Sequence, residues 1–426
     1  MISPCLAIVL LALGLRLGAV FATDAHRHPA LWEYEVLAGN LLAGRGFVFA
    51  GEDMVYRSYA EPLYPFLLYA IYAVTEHSFL AVALVQVALS TALVVVVDAI
   101  GRATAGPAVG LGAALLVALD PGLIRYTVKF HVLVLDALLL ATVVLLLLEV
   151  RRTPRPGGFA ALGLALGLGV LSRPTVLGFV PVALAWMVLG LPGLRLGRRL
   201  ALIGLTLAVA AAVLAPWVVR NQAVHGRFVL TRVGGGFVFW LGNHPGSSGS
   251  AVDRSGQDPL PAAPPALREA IARADEAGRD EIFRREAFQF VREDPVGFVG
   301  RTATKLFYFW WFSPQSGLWY AGEPFWIYRL FYLVAAPAAA AGMVTVFAGR
   351  LPGVDRVAAA LVLAFLLSMS VTQSVFYVEG RHRLGVEGVF LIFSAAGLWR
   401  LGCRWHPQVR RYAGWPAGEI VAGGDR

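Results

Sequence analysis

Charge is scarce in this sequence, and cysteine scarcer. Only 15% of the 426 residues are Asp, Glu, Lys or Arg, where soluble domains carry about a quarter. That shortage excludes a soluble enzyme on a single anchor, and it excludes a disordered chain. The two cysteines, Cys5 and Cys403, stand at opposite ends, so a Cys-ligated metal and a disulfide framework are both excluded. There is no internal repeat and no inverted pair of broken helices, which argues against a secondary transporter. What fills the chain is apolar: 58% hydrophobic residues with 46 Gly, 24 Pro and 11 Trp, and a mean hydropathy of +0.67. This is the composition of a polytopic helical membrane protein. The formal charge of +9 then reads as Lys and Arg gathered on cytoplasmic loops, and not as a nucleic-acid surface.

Spans of roughly 20 apolar residues cross a bilayer core. Ten candidates follow: 4–22, 79–99, 105–120, 131–149, 158–172, 174–191, 200–218, 325–348, 357–376 and 385–401. Two aromatic-rich stretches, 62–75 and 298–312, read as interfacial or re-entrant helices. With 62–75 outside the count, Arg102, Arg151, Arg152, Arg155, Arg195, Arg198, Arg199, Arg350, Arg404, Arg410 and Arg411 share the cytoplasm, as the positive-inside rule requires. Both termini then lie there too. Val20-Phe21-Ala22 resembles a signal cleavage site, but no positive residue precedes the apolar run and Arg16 interrupts it. The expectation is an uncleaved anchor. The chain reads as a single polytopic membrane domain over 1–426, with a first outer loop at 23–61 and one large outer loop at 221–300.

Polar residues crowd at the outer ends of the spans. The first loop carries Asp24, Glu33, Glu35, Glu52, Asp53 and Glu61 against Arg27, Arg45 and Arg57. Residues 31–42 form a short helix on which Glu33 and Glu35 point to different faces. A carboxylate just outside a bilayer is suited to act as general base on a hydroxyl or amine. Tyr56 to Pro65, including Tyr59 and Glu61, reads as a site wall. Asp136 lies inside an apolar run, with His131 or Lys129 as expected partners; an ionisable group there points to function. Arg173, Arg220, Lys305, Arg381 and Arg383 are basic residues on the outer side, against the topological bias. Arginine grips phosphate through a rigid fork, and Arg381-His382-Arg383 is the best candidate for an anionic headgroup. In the large loop, Pro245 to Gly256 is expected to be flexible, and 266–293 to form an amphipathic helix on the membrane surface, with a stripe of Ile282, Phe283, Ala287, Phe290 and Val291.

The order of several motifs resembles the GT-C fold membrane glycosyltransferases, in the bacterial branch related to protein mannosyltransferases and aminoarabinose transferases. The carrying residues are Tyr34 with Ala38 and Asn40 to Phe47, Glu61-Pro62-Leu63-Tyr64-Pro65, Gly167 to Pro174, Pro216 to Asn221, Leu241-Gly242-Asn243 and Arg381 to Leu384. The resemblance implies an all-α integral membrane fold and inverting transfer of a hexosyl or pentosyl group. The donor is a polyprenyl-phosphate sugar; the acceptor is a lipid, glycan or protein at the outer face of a bacterial inner membrane. No cofactor and no metal are expected. Under this reading Glu33 is the base, and Arg381, Arg383 and Lys305 hold the phosphate. Tyr34, Tyr59, Glu61, His131, Arg220 and Asn243 bind substrate. Two departures stand out. Ala30 occupies the position of the family's usual Asp, so Glu33, on the same helical face, is taken as its substitute, and His131 stands where many relatives carry Glu. The alternative is a transporter or flippase of lipid-linked sugars, which would spread ionisable groups over both halves of several helices.

Overall fold

The computed structural model describes residues 3–51, 53–191, 193–313 and 325–405. In chain order the helices begin with α1 (Pro4–Ala22) and α2 (Glu33–Leu42). A two-stranded hairpin follows, β1 (Phe49–Ala50) antiparallel to β2 (Val55–Tyr56). Next come α3 (Leu63–Thr75), α4 (Phe79–Ala105), α5 (Pro107–Leu119), α6 (Pro121–Thr127), α7 (Leu133–Arg152), α8 (Pro156–Ser172), α9 (Val180–Leu189) and α10 (Leu196–His225). The large loop holds α11 (Gly235–Gly242), α12 (Pro265–Arg273), α13 (Glu276–Glu293) and α14 (Pro295–Trp310). The chain then closes with α15 (Phe325–Phe347), α16 (Arg356–Val375), a 3-10 turn (Gly380–Arg383) and α17 (Leu384–Trp405).

This is a multi-pass membrane protein. Among the described residues seven helices are long and apolar enough to cross a bilayer, or eight if the bent pair α5 and α6 counts as one. Each of the ten expected spans has a helix at its place; α8 and α9 are shorter than a full crossing. Arg410 and Arg411 lie outside the described residues.

Side-chain bonds sort the helix ends onto two faces. At one face Cys5 meets Asp98 at 3.6 Å, Arg152 reaches the Ala103 carbonyl at 3.2 Å, and Arg151 pairs with Asp355 at 2.6 Å. The start of α1, the ends of α4 and α7 and the start of α16 are therefore together. Helices α1 and α4 both have their other ends on the opposite face, so α3 between them leaves and returns on one side. Its 13 residues span only about 20 Å at 1.5 Å per residue, short of a bilayer core.

Arg16 does not break α1. It is fully buried and donates to Ser90 Oγ at 2.6 Å and to the carbonyls of Val117 and Ala118 at 3.0 and 3.1 Å. Those carbonyls are left without helical partners where α5 ends. Asp120 follows as the N-cap of α6, its Oδ1 accepting from Gly122 at 2.8 Å and Leu123 at 3.1 Å, with Pro121 at the first helical position. This junction bends the helix pair by 54° and aims the end of α6 at the space between α1 and α15. Glycine sets the packing of α15 on α17: a Cβ at Gly342 would strike the Phe393 carbonyl, and one at Gly397 the Ala338 carbonyl.

The large loop is an ordered cap. The apolar stripe of α13 is covered by protein and not offered to lipid: Phe283 and Ala287 pack with Phe239, Trp240 and Leu241 of α11. The helical pattern expected over 266–293 breaks at Ala274, where Asp275 caps α13. The stretch expected to be flexible is instead tied by its own polar side chains. Asp253 Oδ1 accepts from Ser255 N at 2.8 Å and Gln257 N at 3.0 Å, and the Gly249 carbonyl accepts from Val378 N at 2.8 Å. Ser and Asp lack an apolar period, but they bond the backbone of their own turns. Glu276 locks cap to first loop by accepting from Arg57 N at 2.7 Å and Ser58 N at 3.0 Å.

Candidate functional site

The bend at Asp120 opens a cavity of about 690 Å³ between α1, α6, α15 and the turn before α17. Its lining combines apolar Leu15, Ala19, Leu119, Ile124 and Ile327 with basic Arg125, Lys129, Arg381 and Arg383. No Asp or Glu lines it among the described residues. Burial beside Arg125 and Arg381 lowers the Lys129 ammonium to about 8, desolvation being the main cause. Arg381 is held by Glu379 at 2.8 Å and lies over the Trp32 ring, 5.4 Å from its centroid. Arg383 is 1% exposed and donates through Nη2 to the Tyr328 hydroxyl at 2.6 Å.

Behind Arg381 lies a second polar site. Glu33, the first residue of α2, is desolvated by the protein around it, which raises its pKa; Arg232 and Arg381 act against that rise and Glu61 adds to it. A carboxylate whose proton affinity is raised by burial is suited to general-base work. Glu61 is buried and pairs with Arg232 at 3.5 Å. Tyr59 stacks on Phe49 at 4.2 Å, and burial together with the Glu33 charge raises its phenol. Glu35 faces away, accepting from Tyr72 and His77, as its opposite helical face requires.

Aromatic rings separate the two compartments. His131 is buried and meets Trp32, Tyr34 and Tyr126 edge-on at 4.8, 5.5 and 5.6 Å. Its Nδ1 accepts from Leu133 N at 3.2 Å, at the start of α7. Tyr126 and Arg381 belong to the cavity wall, while Tyr34 packs on Tyr64 beside Glu33. Arg381 thus touches both sides.

Glu33, Tyr34, Tyr59, Glu61, His131, Arg381 and Arg383 come together. Lys305, Asn243 and Arg220 do not join them. Lys305 is 1% exposed and donates to the carbonyls of Gly242, Val375 and Phe376 at 3.2, 3.2 and 2.7 Å and to Asn243 Oδ1 at 3.0 Å. Four acceptors occupy its ammonium, so it closes helix ends and has no hydrogen left for a phosphate. Asn243, fully buried, serves the same seat. Arg220 lies over Trp217 and donates to Ser58 Oγ at 2.9 Å and the Phe47 carbonyl at 3.3 Å, fastening the first loop. Asp136 pairs with Arg173 at 3.6 Å, and not with His131 or Lys129 as the sequence suggested.

Four contributors escaped the sequence reading as site residues. Lys129 is expected there only as a partner of Asp136, and Arg125 and Arg232 are given no role; each is a basic residue on the side the charge bias reads as outer, the same signal that singled out Arg220. Glu387 was missed although it lies inside an apolar helix, where a carboxylate is itself a signal. Among the described residues no group of three or more His, Cys, Asp or Glu converges on a metal position.

Residues 60–219 match the sequence model described as dolichyl-phosphate-mannose-protein mannosyltransferase. No curated protein matches the chain. Among solved structures, the oligosaccharyltransferase of Archaeoglobus fulgidus in complex with Zn and sulfate aligns at a TM-score of 0.58 and 15% identity over 96% of this chain. The same archaeal enzyme, AglB, with an inhibitory peptide and a dolichol-phosphate aligns at 0.53 and 11% identity, over 96% of this chain and 52% of that one. The chain spans about half the length of these structures, covering 50% of the first. ArnT from Cupriavidus metallidurans bound to undecaprenyl phosphate aligns at a TM-score of 0.42 and 16% identity, over 95% of this chain and 80% of that chain. The protein therefore has the GT-C fold of the membrane glycosyltransferases, with the protein mannosyltransferase pattern over residues 60–219.

Proposed function

We propose that this protein is a polyprenyl-phosphate-dependent glycosyltransferase that works at the outer face of a bacterial inner membrane. The observation that carries this reading is a cavity lined both by four basic side chains, Arg125, Lys129, Arg381 and Arg383, and by apolar ones. A lipid phosphate, anionic at its head and apolar along its chain, is complementary to such a lining. The archaeal enzyme of similar fold is described with a dolichol-phosphate.

In the proposed reaction the acceptor's hydroxyl or amine attacks the anomeric carbon, and the carbon–oxygen bond to phosphate breaks with inversion. The donor phosphodiester carries one negative charge; the departing polyprenyl phosphate carries up to two. Arg125, Lys129, Arg381 and Arg383 meet that added charge, which stabilises the transition state more than the ground state. Glu33, across Arg381 from the cavity, takes the acceptor's proton. Glu61, paired with Arg232, aligns the acceptor. No cofactor or metal enters this scheme, and the basic face with Arg151 and Arg199 lies in the cytoplasm. The sugar is a hexose or a pentose; the acceptor is a lipid, glycan or protein.

The test is transfer by purified protein in proteoliposomes supplied with radiolabelled polyprenyl-phosphate sugars, followed by binding of undecaprenyl phosphate. Saturable binding that Arg383→Ala abolishes supports the reading. Binding of undecaprenyl phosphate no tighter than that of undecaprenol overturns it.

A further inference from the structure

We propose that Tyr328 and Glu387 are positioning residues, which hold the Arg383 guanidinium so that it meets the phosphate oxygen gaining charge as the sugar departs. This rests on the lipid-phosphate reading above.

Three elements fix Arg383. Its Nη2 and Nε donate to the Tyr328 hydroxyl oxygen at 2.6 and 3.2 Å. That hydroxyl gives its own proton to Glu387 Oε2 at 2.7 Å. A phenol can orient its proton either way; a carboxylate accepts only. Glu387 therefore turns the hydroxyl proton away from the guanidinium and its lone pairs toward it. Glu387 itself is fully buried one turn along α17, 3.7 Å from Arg383 Nε. Beneath the guanidinium face lies the Tyr332 ring, with Cζ 3.6 Å from the centroid, a cation–π arrangement. Tyr332 is locked in turn by donating to the Trp310 carbonyl at 2.6 Å.

The clamp occupies the Nε edge and one face, Nη1 donates to the Phe309 carbonyl at a long 3.5 Å, and Arg383 and Tyr328 both border the cavity. A cation with its rotamer set in advance needs little reorganisation as charge develops. Gly342 and Gly397 bring α15 against α17, which puts Tyr328 over Arg383. Gly122 on the facing wall has the same reason: a Cβ there would sit 2.7 Å from Leu384 and 3.0 Å from the Tyr328 ring.

A purely structural role would make Tyr328→Phe lower the melting temperature and leave ligand affinity unchanged. Positioning predicts a coupling instead. The experiment measures undecaprenyl phosphate affinity for wild type, Tyr328→Phe, Arg383→Gln and the double variant, with undecaprenol as control. Tyr328→Phe should weaken binding about tenfold in the wild-type background and less than about twofold beside Arg383→Gln. In the transfer assay kcat should fall with little change in donor KM, because the donor lacks the second charge. Glu387→Gln, which keeps an acceptor and the side-chain volume, should give a smaller loss of about threefold in the same cycle, and serves where Tyr328→Phe does not fold. Equal losses in both backgrounds, or none in either, would overturn the positioning role while leaving the lipid-phosphate reading intact. Wild-type protein that does not distinguish undecaprenyl phosphate from undecaprenol overturns both.

Discussion

Lys305 and Arg383 are both 1% exposed, and they serve opposite ends. Around Lys305 every acceptor belongs to the protein: three carbonyls at the ends of α11 and α16 and one Asn side chain. Burial, aided by the nearby Arg301 charge, lowers its ammonium to about 7. Around Arg383 the partners are a phenol, a carboxylate, an aromatic face and, at 3.5 Å, the Phe309 carbonyl, and the residue borders a cavity. The first arrangement satisfies the backbone and the second presents charge. Burial of a cation alone therefore does not mark a ligand site; what the remaining side of the cation faces does.

If that contrast is right, changes at the cavity and its acidic neighbour should cost turnover, and changes in the Lys305 seat should cost stability. Glu33→Gln should have the largest effect. Loss of a general base lowers the rate on the order of 10²–10⁴-fold, with undecaprenyl phosphate affinity near normal because the carboxyl lies behind Arg381. Turnover and affinity measured on one preparation check this, and full turnover would move the role to Glu61. Arg383→Ala comes next. It should slow transfer roughly a hundredfold, about 3 kcal/mol, and weaken phosphate binding as well. Arg383→Lys should recover little, since the fork to Tyr328 and the aromatic bed are lost.

Lys305→Met sharpens the other side. It leaves the Phe376 and Gly242 carbonyls and Asn243 Oδ1 without a donor, at about 1–3 kcal/mol for each buried group left unsatisfied. Thermal or denaturant unfolding should shift accordingly, while transfer per folded molecule stays within about twofold. A hundredfold fall in turnover at unchanged stability would erase the distinction between the two cations.

The fold was legible in the sequence to an unequal degree. Apolar length placed a helix at every expected span, because bilayer thickness sets that length directly, though among the described residues only seven or eight are long enough to cross. Charge bias kept 62–75 out of the count, and α3 does return to the face it leaves. The large loop was harder. Its apolar stripe on α13 was visible, but nothing local says whether lipid or α11 covers such a stripe. The site divided the same way. Residue type and position singled out Arg381, Arg383 and Glu61, the family resemblance chose Glu33 over Glu35, and the structure brings the four to one region. Lys305 carried the identical signal and proved structural, since its partners are carbonyls from segments about 60 and 70 residues away. Backbone acceptors leave no trace in composition. Asp136 found Arg173, and not its sequence neighbours, for the same reason.

The smallest expected effect concerns Lys129, and it comes from pH. Its ammonium titrates near 8, below its usual range, because burial and the charges of Arg125 and Arg381 disfavour the protonated form. Below that value the cavity holds all four cations; as pH rises through about 8, Lys129 becomes neutral while the arginines stay charged. Bound phosphate favours the protonated lysine, so affinity and proton uptake are linked. Undecaprenyl phosphate should therefore bind most tightly near pH 7 and lose affinity between about pH 8 and 9.5 by a few-fold. The loss stays small because one of four cations is involved and the lysine is half-buried. Lys129→Arg should flatten the alkaline limb, and Lys129→Met should remove it while lowering affinity at pH 7 to the alkaline wild-type level. Titrating binding against pH for the three proteins checks this. An unchanged alkaline limb in Lys129→Met would assign the titration to another group and take Lys129 out of the phosphate's reach.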